Sequence, residues 1–227
     1  MRIGILIIGS LFWDASRVRC RWRQDRLNCS HKRTVSVPIR YGKKTKKRGN
    51  TYTMVFARSC SAAARLGKAL VVPVLAECSK PEDLIQEARC LWAAERDVEH
   101  GGGICADWGK VCVLKNPKAD ATERTLRSWS SHITEIGSAA YTALPTAHGE
   151  EPVLDPATGL ALFDWPKDVA TNEDLADFDL LLMTANSPSL IADQYPNRGA
   201  DRFRVAGRQR QQCLVLPQQS VLWHYYV

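Results

Sequence analysis

Arg-Ile-Gly-Ile-Leu-Ile-Ile-Gly-Ser-Leu-Phe-Trp-Asp, residues 2–14, is the stretch around which the rest of the chain is organised. Residues 3–8 form an apolar run rich in β-branched side chains. A short run with no polar alternation is the pattern of a strand buried on both faces. The run breaks at Gly9-Ser10. Glycine reaches backbone angles that other residues avoid, so the chain can turn sharply there. Successive N–H groups in such a turn can converge into a small anion cradle. A secretory segment would also begin with a basic residue and an apolar run. It would then need a small-residue cleavage site, and here Asp14 and several arginines follow instead. A core strand is therefore expected.

Outward from that strand, 227 residues are ample for one core. The expected organisation is a core of residues 1–120 with residues 121–227 as a C-terminal extension packed on it, in one compact unit. No apolar run approaches the ~20 residues needed to span a bilayer, so a soluble protein is expected. The net charge of +7 is unevenly placed: residues 1–50 carry 14 Lys+Arg against Asp14 and Asp25, a balance of +12. Such asymmetry is one mark of a face for nucleic acid or another anionic partner, although a solvated basic loop produces it too. Eight cysteines are scattered, with no Cys-x-x-Cys pair and no Cys/His grouping at zinc spacing. They are expected as reduced thiols in a cytoplasmic protein without a structural metal.

Along the chain, residues 17–26 alternate arginine with Val, Cys and Trp, which reads as an exposed edge strand or an irregular basic segment. Residues 35–39 make a short strand. Residues 40–50 read as a basic loop, residues 51–56 as a clear strand, residues 61–66 as a helical turn, and residues 67–75 as another buried strand. Ser79-Lys80-Pro81-Glu82 has the form of a helix start, and Gly101-Gly102-Gly103 ends any helix before it, so a helix is expected from there to about Asp97. On that helix Leu84, Ala88, Leu91 and Glu95 fall on one stripe. A carboxylate on a core-facing stripe must be paired or neutralised. Residues 108–114 form the next strand and residues 122–136 a helix. Residues 141–168 read as a long connection, and residues 178–186 as an apolar strand or short helix. Residues 187–204 read as loop, and residues 213–216 and 221–227 as closing strands.

Four features then stand in order. They are Gly9-Ser10-Leu11-Phe12-Trp13, Arg48-Gly49-Asn50-Thr51 leading into a strand, the run at 67–72, and Glu95 at a helix end. Together they resemble the γ-glutamylcyclotransferase-like family, its ChaC branch included, over about residues 3–115. The family's tyrosine before Gly-Ser-Leu is Ile8 here, which removes a hydroxyl able to bond substrate. The resemblance implies a mixed α/β (α+β) fold in which a small curled sheet or barrel is flanked by helices. It also implies a small γ-glutamyl compound as substrate, 5-oxoproline as product, and no metal or cofactor. Glu95 would be the catalytic acid and base. Gly9, Ser10 and Leu11 would bind substrate through backbone N–H groups, and Arg48 would grip a second anionic group.

Two other classes compete. A binding module of the same fold would engage nucleic acid through residues 17–26 and 43–48, but no RNA- or DNA-binding signature accompanies those runs. A hydrolase would need a Gly-x-Ser-x-Gly elbow, and Gly-Ser-Leu is not one.

Overall fold

A computed structural model describes residues 1–45, 51–62, 66–119, 122–137 and 151–188. In chain order its elements are β1 (Ile3–Ile7), α1 (Arg17–Arg26), β2 (Arg33–Val37), β3 (Ile39–Thr45), β4 (Thr51–Phe56), β5 (Gly67–Pro73) and α2 (Pro81–Arg96). There follow β6 (Cys105–Ala106), β7 (Gly109–Lys115), α3 (Glu123–Ile136), β8 (Lys167–Asp168) and β9 (Leu180–Asn186). Seven strands make one mixed sheet in the order β6-β7-β9-β1-β5-β2-β8, and β3 and β4 form a separate hairpin.

The opening run of the chain occupies the middle of that sheet. All five residues of β1 are buried, as expected of a strand covered on both faces. Gly4 is required by packing there: a Cβ would stand 2.8 Å from both Leu181 and Val71. β1 runs parallel to β9 and antiparallel to β5. β9 is therefore an interior strand between β1 and β7, so the sheet itself crosses the expected boundary at residue 120. Residues 159–161 bond to Val113 at one side of the sheet, while β8 pairs with β2 at the other. The expected long connection thus carries the chain across the whole sheet before it returns as β9.

Both edges of the sheet are occupied by two-residue strands, and the described strands do not close. The expected curled sheet or barrel is corrected to a mostly open mixed α/β sheet with a few helices. Short terminal strands are one way to blunt an edge against unwanted pairing. α2 packs on β7 and β9 and is flanked by α1 and α3. Trp92 and Trp129, one from each of the last two helices, are wholly buried in this layer. No helix among the described residues is long and apolar enough to cross a membrane.

Residues 17–26 are a helix, not the strand or irregular segment their alternation indicated. Ser16 caps α1, its side chain accepting the Arg19 N–H at 3.2 Å. Residues 40–45, expected as the start of a loop, are likewise part of strand β3. α2 starts one residue later than its expected cap: Lys80 is the N-cap, and the Asp83 carboxylate accepts the N–H groups of Ser79 and Lys80 at 2.9 and 2.8 Å. It ends where expected, on Asp97 in the left-handed conformation. The expected helical turn at 61–66 falls in part, and the closing strands at 213–216 and 221–227 wholly, outside the described residues.

Candidate functional site at one end of the sheet

β1 ends at Ile7, and the chain enters a 3-10 turn, Gly9–Phe12. Gly9 takes φ +82°, a conformation that disfavours any residue with a Cβ. No atom stands within 4 Å of the position a Cβ would occupy there. The Ser10 carbonyl accepts the N–H groups of Trp13 and Asp14 at 2.9 and 2.8 Å. Ser10 itself is half-buried and Leu11 is buried.

Two arginines from α1 fasten this turn. Arg23 donates to the Leu11 and Asp14 carbonyls at 2.8 and 2.7 Å. Arg19, only 8% exposed, pairs with the Asp14 carboxylate at 2.5 Å. Its other nitrogens donate to the Ala94 carbonyl at 2.9 Å and the Glu95 carbonyl at 3.0 Å. Those carbonyls lie in the last turn of α2, where the helix dipole favours a cation and the Ala94 oxygen also accepts the Asp97 N–H at 3.2 Å. Through Arg19, the end of α2 that carries Glu95 is bound to the segment leaving β1.

A second set of contacts approaches the same helix end. Trp92 lies one turn before Glu95 and stacks on Trp108, with ring centroids 4.7 Å apart and planes 16° apart. Trp108 directly precedes β7, whose first residue, Gly109, faces Asn186 at the carboxyl end of β9. The Trp108 carbonyl accepts the Ser187 N–H at 2.9 Å and the Lys43 Nζ at 3.2 Å. The Lys43 Nζ also lies 5.5 Å over the Trp108 ring. Burial draws the Lys43 ammonium below the usual lysine range.

The carboxyl ends of the parallel pair β1 and β9 therefore share one end of the sheet with Gly9-Ser10-Leu11, Glu95, Trp108 and Lys43. Strand carboxyl ends are where open α/β sheets commonly receive ligands. Beside the turn is an open hollow of about 320 Å³ lined by Phe12, Cys20, Arg23, Gln24, Leu27 and Cys29. Burial pushes the Cys29 thiol up, against the opposing pull of Arg23 and Lys32. Glu95 is not among the lining residues of this hollow.

Of the residues expected in the site, Gly9, Ser10 and Leu11 form the turn, and Glu95 stands half-buried at the end of α2. Arg48 lies outside the described residues. The fully buried carboxylate of α2 is instead Glu87, roughly 80° round the helix from Glu95 at 100° per residue. Glu87 is ion-paired with Arg26, and burial pushes its carboxyl above the usual glutamate range against the pull of that arginine. Lys43, Trp108 and Arg19 were not expected here. Gly42 beside Lys43 was the available signal: the register of β3 against β4 shifts between Tyr41 and Lys43, and a bulge of this kind re-aims a side chain.

The basic N-terminal half is largely engaged from within. Arg19 and Arg23 hold the turn, and Arg26 holds Glu87. Arg33 pairs with Asp177 and lies 3.8 Å from Asp168. Among the described residues no group of three or more His, Cys, Asp or Glu could hold a metal ion. Comparison with protein-family models, with curated proteins and with solved structures finds no match to this chain.

Proposed function

We propose that the chain is a γ-glutamylcyclotransferase-like enzyme that releases 5-oxoproline from a small γ-glutamyl compound, and that its mixed sheet is a core of that kind. The substrate's own α-amine attacks its γ-carbonyl carbon. A new C–N bond closes the five-membered lactam, and the original γ-amide C–N bond breaks. The proton lost by the attacking amine passes to the Glu95 carboxylate and then to the leaving amine, so the step balances without a co-reactant. The turn at Gly9, Ser10 and Leu11 supplies backbone donors to a substrate oxygen. Holding the substrate in its cyclising conformer supplies a large part of the rate, because the attack is intramolecular.

The observation that carries this reading is the Arg19 bridge. One buried guanidinium binds Asp14, beside the turn, and the carbonyls of Ala94 and Glu95. It keeps the candidate base and the candidate cradle at one end of the sheet. Ile8, which takes the place of a tyrosine, is half-buried against the core and offers no hydroxyl, so recognition falls to backbone and to neighbouring side chains. The test is Glu95→Gln assayed for 5-oxoproline release from a panel of γ-glutamyl amides. The expected result is an intact fold by circular dichroism and release lowered by on the order of 10²- to 10⁴-fold; turnover at the wild-type rate would exclude Glu95 as the base.

A further inference from the structure

Several of the described cations of this molecule have a carboxylate to themselves. Arg19 has Asp14, Arg26 has Glu87, Arg33 has Asp177, and Lys118 has Asp174. Lys43 differs. Its ammonium is half-buried, held by the Trp108 carbonyl at 3.2 Å and lying over the Trp108 ring. Among the described residues no carboxylate pairs with it. A carbonyl dipole and an aromatic face both attract a cation, yet neither supplies a counter-charge. An ammonium that has given up water without gaining an anion is a strong attractor for one, because the local dielectric is below that of bulk water.

Two further features point the same way. The register shift beside Gly42 directs Lys43 out of the regular alternation of β3 and onto Trp108. Trp108 is 36% exposed, so a solute can reach the place where the ammonium sits. That place is the end of the sheet where β1 and β9 present their carboxyl termini.

We propose that Lys43 is the cation of a subsite for a small carboxylate at this end of the sheet, with Trp108 as its apolar floor. Identifying that carboxylate as the α-carboxylate of a γ-glutamyl substrate rests on the function proposed above; the subsite does not. Binding would reverse the lowering of the Lys43 basicity that burial produces.

The experiment measures calorimetric affinities of the whole chain for 5-oxoproline, L-glutamate and L-lactate, each against its own α-carboxamide. At least one acid is expected to bind about tenfold or more tightly than its amide, the effect of one charge-assisted hydrogen bond. Lys43→Met and Lys43→Gln should erase that preference, and Lys43→Arg should keep it. The glutamine variant retains a donor for the Trp108 carbonyl, which provides a folded neutral form if the methionine variant misfolds. An acid preference that survives in both neutral variants, or no acid preference in the wild type for any pair, overturns the subsite. A Lys43-dependent preference for L-lactate or L-glutamate without one for 5-oxoproline upholds the subsite and counts against the γ-glutamyl reading.

Discussion

The two halves of α2 carry carboxylates that look alike in sequence and differ in every physical respect. In the first half, Asp83 closes the helix start on the N–H groups of Ser79 and Lys80, and Glu87 is buried against Arg26. In the last turn, Glu95 is half-buried, and Arg19 donates to its main-chain carbonyl. The difference teaches where to look for chemistry. A carboxylate sealed against a guanidinium is committed to the fold, since removing either partner strands a buried charge. Glu95, at a helix end beside strand termini, is only half-buried and keeps part of its surface in solvent.

The largest effect that could break this comparison is catalytic. Glu95→Gln is expected to lower 5-oxoproline release by on the order of 10²- to 10⁴-fold, the usual contribution of a general acid–base group. Glu87→Gln should leave release per folded molecule close to wild type. Equal losses in the two variants, measured as kcat on protein of verified fold, would erase the functional distinction between the halves.

Stability should show the opposite ranking. Glu87→Ala leaves Arg26 partly buried without its partner and is expected to cost about 3–5 kcal/mol in urea unfolding. The double variant Arg26→Met with Glu87→Leu should recover most of that loss, because apolar side chains of similar volume often replace a buried pair without penalty. Glu95→Gln should lower the unfolding free energy by less than Glu87→Ala does, because glutamine keeps an acceptor oxygen and nearly the same volume. A Glu87→Ala protein as stable as wild type would show that the pair does not hold the first half of the helix in place.

What the sequence made legible follows from which signals are local. The run at residues 3–8 could be assigned as a buried strand because nothing in it alternates, and the structure puts it in the middle of the sheet. α2 could be bounded because Pro81 and the three glycines at 101–103 are strong stops at either end. α1 was hidden because its inward face is built from arginine. Arg19, Trp22, Arg23 and Arg26 follow helical spacing, yet a search for apolar periodicity sees only Trp22 and an alternation that imitates a strand. The arginines turn inward toward Asp14 nearby and toward Glu87 and the Ala94 and Glu95 carbonyls of α2, and the α2 partners lie at least 61 residues away in sequence. Leu84, Ala88 and Leu91 of the expected stripe are buried while Glu95 is half-buried, and that difference depends on tertiary packing at the helix end. Lys43 was read as one charge in a basic loop. Its contact with Trp108, and the lack of a carboxylate partner for it among the described residues, emerge only when the hairpin folds.

The turn opposite Glu95 gives a smaller test. Gly9→Ala puts a Cβ on a backbone at φ +82° where no atom lies within 4 Å, so its cost is conformational alone, about 1–2 kcal/mol. Gly4→Ala, by contrast, forces a Cβ to 2.8 Å from Leu181 and Val71 and should destabilise through collision with packed neighbours. If the turn shapes a ligand site, Gly9→Ala should also raise KM for a γ-glutamyl substrate, whereas Gly4→Ala should lower the melting temperature without a selective change in KM. A Gly9→Ala protein with unchanged stability and kinetics would mean that the turn tolerates relaxation and holds nothing in a fixed geometry.

The smallest effect concerns the helix start. The N–H groups of Lys80 and Ser79 hold the Asp83 carboxyl below the usual aspartate range. A carboxyl whose folded value lies below its unfolded value, ordinarily ~3.9, stabilises the fold only while ionised. That contribution is complete above the unfolded value and disappears as pH falls through the folded one. The difference in urea midpoint between wild type and Asp83→Asn should therefore be constant from neutral pH to about pH 5 and shrink as the solution is acidified further. Asparagine keeps one acceptor oxygen, so the difference at neutral pH isolates the charge rather than the whole cap. A gap that stays constant down to strong acid would show that the ionised carboxylate contributes nothing at this end. The contrast between the two halves of α2 would then rest on Glu87 alone.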